Sequence, residues 1–257
     1  VCGGLGKDIA LPPHVPPVAA EAFLASGLTP MSQRRLAFFF AGNVPDKHLV
    51  DSAADDALAA EAYSEGVRQL VWKHHRLRSG FRVVERSPTY AADWARARFC
   101  LAPLGVGWGV RLLWAIEGGC VPVLASSEVS PYFDDAIDYS AFALHGVDKK
   151  ALPRLHEVLA SVPTRRQEQL QASVLAHRRL FLWHGGLAYN VTLSELCWRA
   201  RYRRPGVRCD ELLPAEARRL VIPPQRRRGS GGEAGGEGGA STGTTAARRA
   251  WWRRSTE

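Results

Sequence analysis

No apolar run in these 257 residues approaches the ~20 needed to cross a bilayer, so nothing in the chain reads as a membrane-spanning helix. The five cysteines, Cys2, Cys100, Cys120, Cys197 and Cys209, have no C-x-x-C spacing and give no zinc signature. Cys100 and Cys120 fall in predicted strands, where each reads as a small buried hydrophobe; a disulfide between cysteines would need an oxidising compartment. The adjacent pair His74-His75 cannot face one metal from a helix, where ligands need i, i+4 spacing. Neither G-x-G-x-x-G nor Gly-Lys-Ser/Thr occurs, which argues against dinucleotide-binding and P-loop enzymes. The first residues are VCGG with no initiator Met, so the chain reads as a piece of something longer, with any leader or anchor upstream.

Acidic residues are scarce towards the end. From Arg199 onward 14 arginines stand against 6 acidic residues, so most of the net charge of +9 belongs to that part and the rest is near neutral. Beyond Arg204 the run GSGGEAGGEGGASTGTTAA has the composition of a flexible linker that buries too little apolar surface to offset its ordering entropy. ARRAWWRRSTE follows, arginine interleaved with tryptophan, a pattern able to touch an anionic polymer or surface but also a common compositional tail. A nucleic-acid-binding reading rests on this tail alone, because the rest holds no recognisable nucleic-acid module.

What is present in quantity is alternation of strand and helix. Arg34 to Gly42 (RRLAFFFAG) is a continuous apolar run of the kind buried on both faces of a sheet. Residues 51–77 carry Leu58, Tyr63, Val67, Leu70, Val71 and His74 at helical spacing, ending in Lys73, His74, His75, Arg76 and Arg78, which read as a solvated last turn. Phe81 to Glu85 is a second strand, and Ser87-Pro88-Thr89 starts a helix whose polar side holds Asp93, Arg96 and Arg98. Phe99 to Ala102, Leu104 to Gly109, Val110 to Gly118 and Cys120 to Leu124 read as strand, glycine-rich loop, helix and strand, a βαβ unit that implies a parallel sheet. Phe142 to His145 is a further strand, and Leu152 to Val162, Arg165 to Trp183 and Leu187 to Tyr202 are successive helices. Val1 to Pro17 is proline-rich and reads as extended.

The loop of the βαβ unit is where chemistry is expected. Gly105, Gly107 and Gly109 can bring bare backbone N–H groups close to an anion at a helix N-terminus, and Arg111 in the first turn adds a fork that matches phosphate oxygens. The same glycines also suit a plain tight turn with a solvated arginine.

Six pieces in order carry a resemblance: GKD-x-x-x-PP at Gly6 to Pro13, RRLAFFFAG at Arg34 to Gly42, RARFCLAPLG at Arg96 to Gly105, then Arg111, GCVPV at Gly119 to Val123, and F-x-x-x-x-DYSAF from Phe133 to Phe142. Together, across Gly6 to Trp183, they resemble the exostosin family of glycosyltransferases. The resemblance implies an α/β fold, a Rossmann-like parallel sheet with flanking helices. This would be the donor domain of a GT-B enzyme, with the first domain mostly absent and a disordered C-terminal tail. The expected division is an extended segment at 1–33, a nucleotide-sugar-binding domain at 34–203 and a low-complexity basic tail at 204–257. The implied activity is inverting transfer of a sugar from a UDP-sugar to a polysaccharide or glycan acceptor, with no cofactor and no obligatory cation. The implied place is the lumenal side of the Golgi membrane, held by an anchor outside this chain.

Carried over residue by residue, Gly105, Gly107, Gly109 and Arg111 correspond to a diphosphate site, where Arg111 would stabilise charge on the leaving diphosphate. Relatives carry an acidic residue three positions after that arginine; here it is Trp114, and Glu117 is the nearest substitute. Glu128 would stand in for an acidic pair after the GC-x-PV strand. The arginine that relatives carry after the first strand is missing, with Lys47 and His48 the nearest cations. No general base is assigned, Asp8 and His14 being candidates by position alone. The alternative reading is a non-catalytic nucleotide-sugar-binding or scaffolding relative.

Overall fold

A computed structural model describes residues 9–61, 63–105, 109–125, 130–201 and 208–222. Its centre is a five-stranded parallel sheet in the order β2-β1-β3-β4-β5. The strands are β1 (Leu36–Ala41), β2 (Phe81–Val84), β3 (Ala97–Leu101), β4 (Val121–Leu124) and β5 (Leu144–His145). Around it lie α1 (Pro17–Ser26), α2 (Lys47–Val50), α3 (Asp55–Ala59), α4 (Val67–His75), α5 (Tyr90–Arg96) and α6 (Val110–Glu117). The C-terminal helices are α7 (Leu155–Ala160), α8 (Thr164–His177), α9 (Ala188–Arg201) and α10 (Ala215–Arg218).

The apolar run of β1 shows why both faces of the sheet are covered. Side chains alternate along a strand. Phe38 and Phe40 join Leu70, Val83, Phe99 and Val121 on one face, while Phe39 joins Trp94, Cys100, Cys120 and Phe23 on the other. A third cluster packs α6 against α8, α9 and the residues after β4. β1 is paired with β2 on one side and β3 on the other, Phe38 standing level with both Phe81 and Phe99. The chain therefore reverses its direction of travel across the sheet at β1, and open α/β sheets place ligands outside the strand ends at such a point.

The expected strands and the central βαβ unit are present, with boundaries moved by a residue or two. Four features differ from the sequence reading. First, the stretch before α1 is described only for residues 9–16, and α1 opens at Pro17, where proline at its first position supplies a ready-set φ. Second, the segment placed in the tail from 204 onward includes residues 208–222, which fold onto the core: Cys209, Leu213, Ala217 and Val221 are buried beside Val191 and Trp198. Leucine, valine and alanine spaced through ELLPAEARRLV supply an apolar face that the arginine content masks. Third, the cysteines pair, Cys100 with Cys120 across β3 and the start of β4, and Cys197 with Cys209, with Cα separations of 5.9 and 5.5 Å. Fourth, two polar positions expected on the surface are interior. His75 is fully buried with Nε2 on the Leu152 carbonyl at 2.7 Å, and burial pulls it down to about 4. Asp93 is buried and accepts from Arg82 Nε at 2.7 Å and from the Ser87 and Thr89 hydroxyls.

Arg34 fixes the lower end of this arrangement. Its guanidinium donates to the carbonyls of Thr29, Trp94, Ala97 and Gly118 at 2.8 to 3.0 Å, closing orphan carbonyls at the ends of α5 and α6.

Candidate functional site

The carboxyl ends of β1 and β3 form the floor of the site. Arg111, in the first turn of α6, donates Nε–H to the Ala41 carbonyl at 3.0 Å. The next residue, Gly42, is buried, and a Cβ built on it would lie 2.6 Å from one Arg111 Nη atom and 2.9 Å from Cζ. A guanidinium can lie flat on the end of β1 because that side chain is absent.

A second guanidinium meets it there. Arg68, in the first turn of α4, is 2 % exposed. Its Nε and one Nη donate to the Leu104 carbonyl at 3.1 and 2.7 Å, and the other Nη to the Asn43 carbonyl at 3.1 Å. Arg68 thus ties the end of β1 to the end of β3, with its charge 4.8 Å from the Tyr63 ring centre and 5.9 Å from that of Phe40. Burial, and then the like charge of Arg111, hold its guanidinium below the usual arginine range. The turn that aims Arg68 is backbone-strained. Ser64, Glu65 and Gly66 have φ of +60°, +52° and +72°, and a Cβ on Gly66 would overlap the Leu58 carbonyl. Among the described residues the groups that hold the two arginines are carbonyl and hydroxyl oxygens and aromatic faces, and each guanidinium lies within electrostatic reach of the other.

Gly105, at the described start of the glycine-rich loop, lies beside Arg68. A Cβ on Gly105 would sit 3.6 Å from an Arg68 Nη and 3.7 Å from the Tyr63 hydroxyl, an ordinary van der Waals contact with the buried guanidinium. Gly109 is exposed, directly precedes α6 in an extended conformation, and has no neighbour within 4 Å of an added Cβ. Its carbonyl accepts from the Tyr132 hydroxyl at 2.7 Å, and the Tyr139 hydroxyl in turn donates to the Tyr132 carbonyl at 2.9 Å. This chain of two tyrosines pins the mouth of α6. Gly107 and Glu128, both expected at the site, lie outside the described residues, as does Asp8.

Glu117 is elsewhere. Six residues after Arg111 on a helix, it is about 9 Å further along and turned about 120° away. Its carboxyl is buried behind Pro13, Leu24, Leu113 and Trp183, near a cavity of about 100 Å³, and desolvation pushes it up to about 7 despite the nearby Arg178 charge. The structure does not bring Glu117, expected at the ribose, together with Arg111: its side chain is buried at the far end of the helix. The position where the resemblance led an acid to be expected is taken by Trp114, whose ring is stacked on Phe23 at 5.0 Å and meets Tyr90 edge-on at 5.3 Å. Lys47 is paired with Glu85, and the cation beside β1 is Arg68 instead. His14 contacts His184 at 2.8 Å on the surface. Arg68 was missed because it falls inside a helical stripe with Val67, Leu70 and Val71. The available signal was that stripe itself, where an arginine interrupts an apolar face two residues after Gly66.

The chain matches the Exostosin GT47 domain over residues 3–162. It is 31% identical to the probable beta-1,4-xylosyltransferase IRX10L of Arabidopsis thaliana over 77% of this chain and 48% of that protein. It is 32% identical to a probable glucuronosyltransferase of Oryza sativa subsp. japonica over 61% of this chain and 35% of the relative. The chain thus spans less than half the length of these relatives. Parallel sheet, switch point, glycine loop and matched residues agree, and the chain belongs to the Exostosin GT47 family.

Proposed function

We propose that this chain is the donor-binding half of a glycosyltransferase that uses a nucleoside-diphosphate sugar, taken here as a UDP-sugar, and transfers the sugar to a polysaccharide or glycan acceptor. The observation that carries the reading is the pairing of Arg68 and Arg111 at the ends of β1 and β3, beside the glycine loop. Like charges held together by uncharged partners favour an anion between or above them. A diphosphate supplies two adjacent charged groups.

In such a transfer the bond from the anomeric carbon to the diphosphate breaks as the acceptor oxygen attacks the opposite face, inverting the centre. Negative charge grows on the leaving diphosphate, where Arg111 and Arg68 would stabilise it. Backbone N–H groups at the opening of α6 would add fixed dipoles already aimed at that position. Two fixed guanidiniums supply positive charge of the kind a divalent cation supplies elsewhere, which supports a metal-independent reaction. The acceptor's proton goes to a carboxylate or imidazole base, a role for which no residue is assigned. The disulfides support an oxidising compartment such as the Golgi lumen.

A second reading, a nucleotide-sugar-binding relative without turnover, is favoured by one observation: Trp114 packs on Phe23 where the resemblance led an acid to be expected. Titration of UDP and UDP-sugars into the protein, with sugar release followed in parallel, separates the two. Binding with turnover supports the enzyme, binding alone the scaffold. Arg111→Ala is expected to weaken UDP binding by ~10- to 100-fold, the loss of a charge-assisted bidentate contact. Unchanged affinity in that variant removes the donor site from this place.

A further inference from the structure

Asparagine is rare in this chain. Of the two present, Asn43 is followed by Val44 and Pro45, whereas Asn190 opens Asn-Val-Thr, the acceptor pattern for an N-linked glycan in a secretory lumen. Asn190 and Thr192 lie in α9 with buried Val191 between them. We propose that Asn190 carries an N-linked oligosaccharide, attached before α9 folds and displayed afterwards at the surface where α9 meets residues 209–212. The inference rests on the oxidising-compartment reading of the two disulfides.

The folded geometry fixes the timing. Residues two apart on a helix point about 200° away from each other, and the Thr192 hydroxyl is engaged by the Ala188 carbonyl at 2.7 Å. The hydroxyl cannot assist the Asn190 amide from there, so the acceptor is the chain before it coils into α9. Synthesis runs from the N-terminus, so Asn190 emerges before Cys197 and Cys209 close their disulfide and before residues 208–222 dock. In the transfer, Asn190 Nδ2 forms a bond to the anomeric carbon of an oligosaccharide carried on a polyprenyl diphosphate. The bond from that carbon to the diphosphate breaks, the lipid diphosphate leaves, and one amide proton passes to a base of the transferring enzyme.

The modified side chain fits the folded surface. An asparagine amide has two N–H groups, and Asn190 donates to the Leu212 carbonyl at 2.9 Å in an exposed position. Glycosylation replaces one amide hydrogen and leaves the other to keep that bond. Beside it stand Tyr189, 62% exposed, and Leu212, 38% exposed, apolar surface that a carbohydrate would screen from water.

The test directs the full chain into the secretory pathway of a eukaryotic cell and treats the recovered protein with peptide-N-glycosidase. The expected result is one mobility shift removed by that enzyme, with deamidation at position 190 read by mass spectrometry. Asn190→Gln and Thr192→Ala are each expected to lose the shift completely, and Thr192→Ser to keep it. Thr192→Ala leaves Asn190 and its bond to Leu212 in place, so its loss reports the acceptor pattern rather than the fold. Wild type recovered without the shift overturns the site whether or not its disulfides have formed, as does a shift that persists in Asn190→Gln. A glycan at position 190 on protein with Cys197 and Cys209 unbonded keeps the site and removes the disulfide argument for the compartment instead.

Discussion

Gly42 is the residue on which the site is most sensitive to a single methyl group. A Cβ there would approach the Arg111 guanidinium to 2.6 Å, and since the obstacle is the end of a flexible side chain, the arginine moves and the fold stays. Gly42→Ala is thus expected to leave the melting temperature within a few degrees of wild type while UDP affinity falls about tenfold, the value of one displaced charged contact. Calorimetric titration beside thermal unfolding checks it; parallel loss of both would mean that Gly42 serves the fold. At this scale the sequence was legible in part. The strand and helix that flank Gly105, Gly109 and Arg111 were readable because they lie consecutively in the chain. Arg68 was not, because it approaches from a helix some forty residues upstream of the loop. The separation of Glu117 from Arg111 was not legible either, because counting along a sequence does not display the 100° turned per helical residue.

At the scale of elements, residues 208–222 carry the clearest consequence. Leu213, Ala217 and Val221 are buried against α9 and the loop after β4, the Ile222 N–H donates to the Ala136 carbonyl at 2.7 Å, and Cys209 is bonded to Cys197. A chain ended after Arg204 uncovers that cluster. It should lose on the order of 3 kcal/mol or more, since a buried leucine alone is worth about 2 kcal/mol. A chain ended after Pro223 should unfold like the full one. Urea titrations of the two truncations check this, and equal stability would mean that the segment merely decorates the surface. Composition hid the segment because arginine on the outer face of a short helix and apolar residues on its inner face average to a polar stretch.

For the whole molecule, buried ionisable groups set how stability follows pH. Glu117 and Glu195 are both pushed up to about 7, each by burial in the first place, with Arg178 and Arg199 respectively opposing. A carboxyl whose folded value lies above its unfolded 4.5 stabilises fully below 4.5, and that contribution is lost as pH rises to about 7. His75, held down to about 4 by burial against an unfolded 6.5, acts oppositely: its contribution is complete above 6.5 and lost as pH falls towards 4. Between 4.5 and 6.5 the two carboxyls outweigh the one imidazole, so these three groups together predict a net decline there that steepens from 6.5 to about 7, where the carboxyls act alone. Melting temperatures from pH 4 to 8 check it, and Glu117→Gln should remove part of the decline on the alkaline side. A maximum at pH 8 in the wild type would show that Glu117 and Glu195 are ionised in the folded state at no cost.

The order of strands and helices, the parallel sheet and the family were contained in the chain as written, because each depends on neighbours in sequence: an unbroken apolar run, a glycine loop between strand and helix, six motifs in register. The tertiary structure alone decided which cation faces Arg111, which cysteines join, and what Trp114 and Glu117 touch. Those depend on side chains brought together from separate elements, and the distance between them in space has no counterpart in their spacing along the chain.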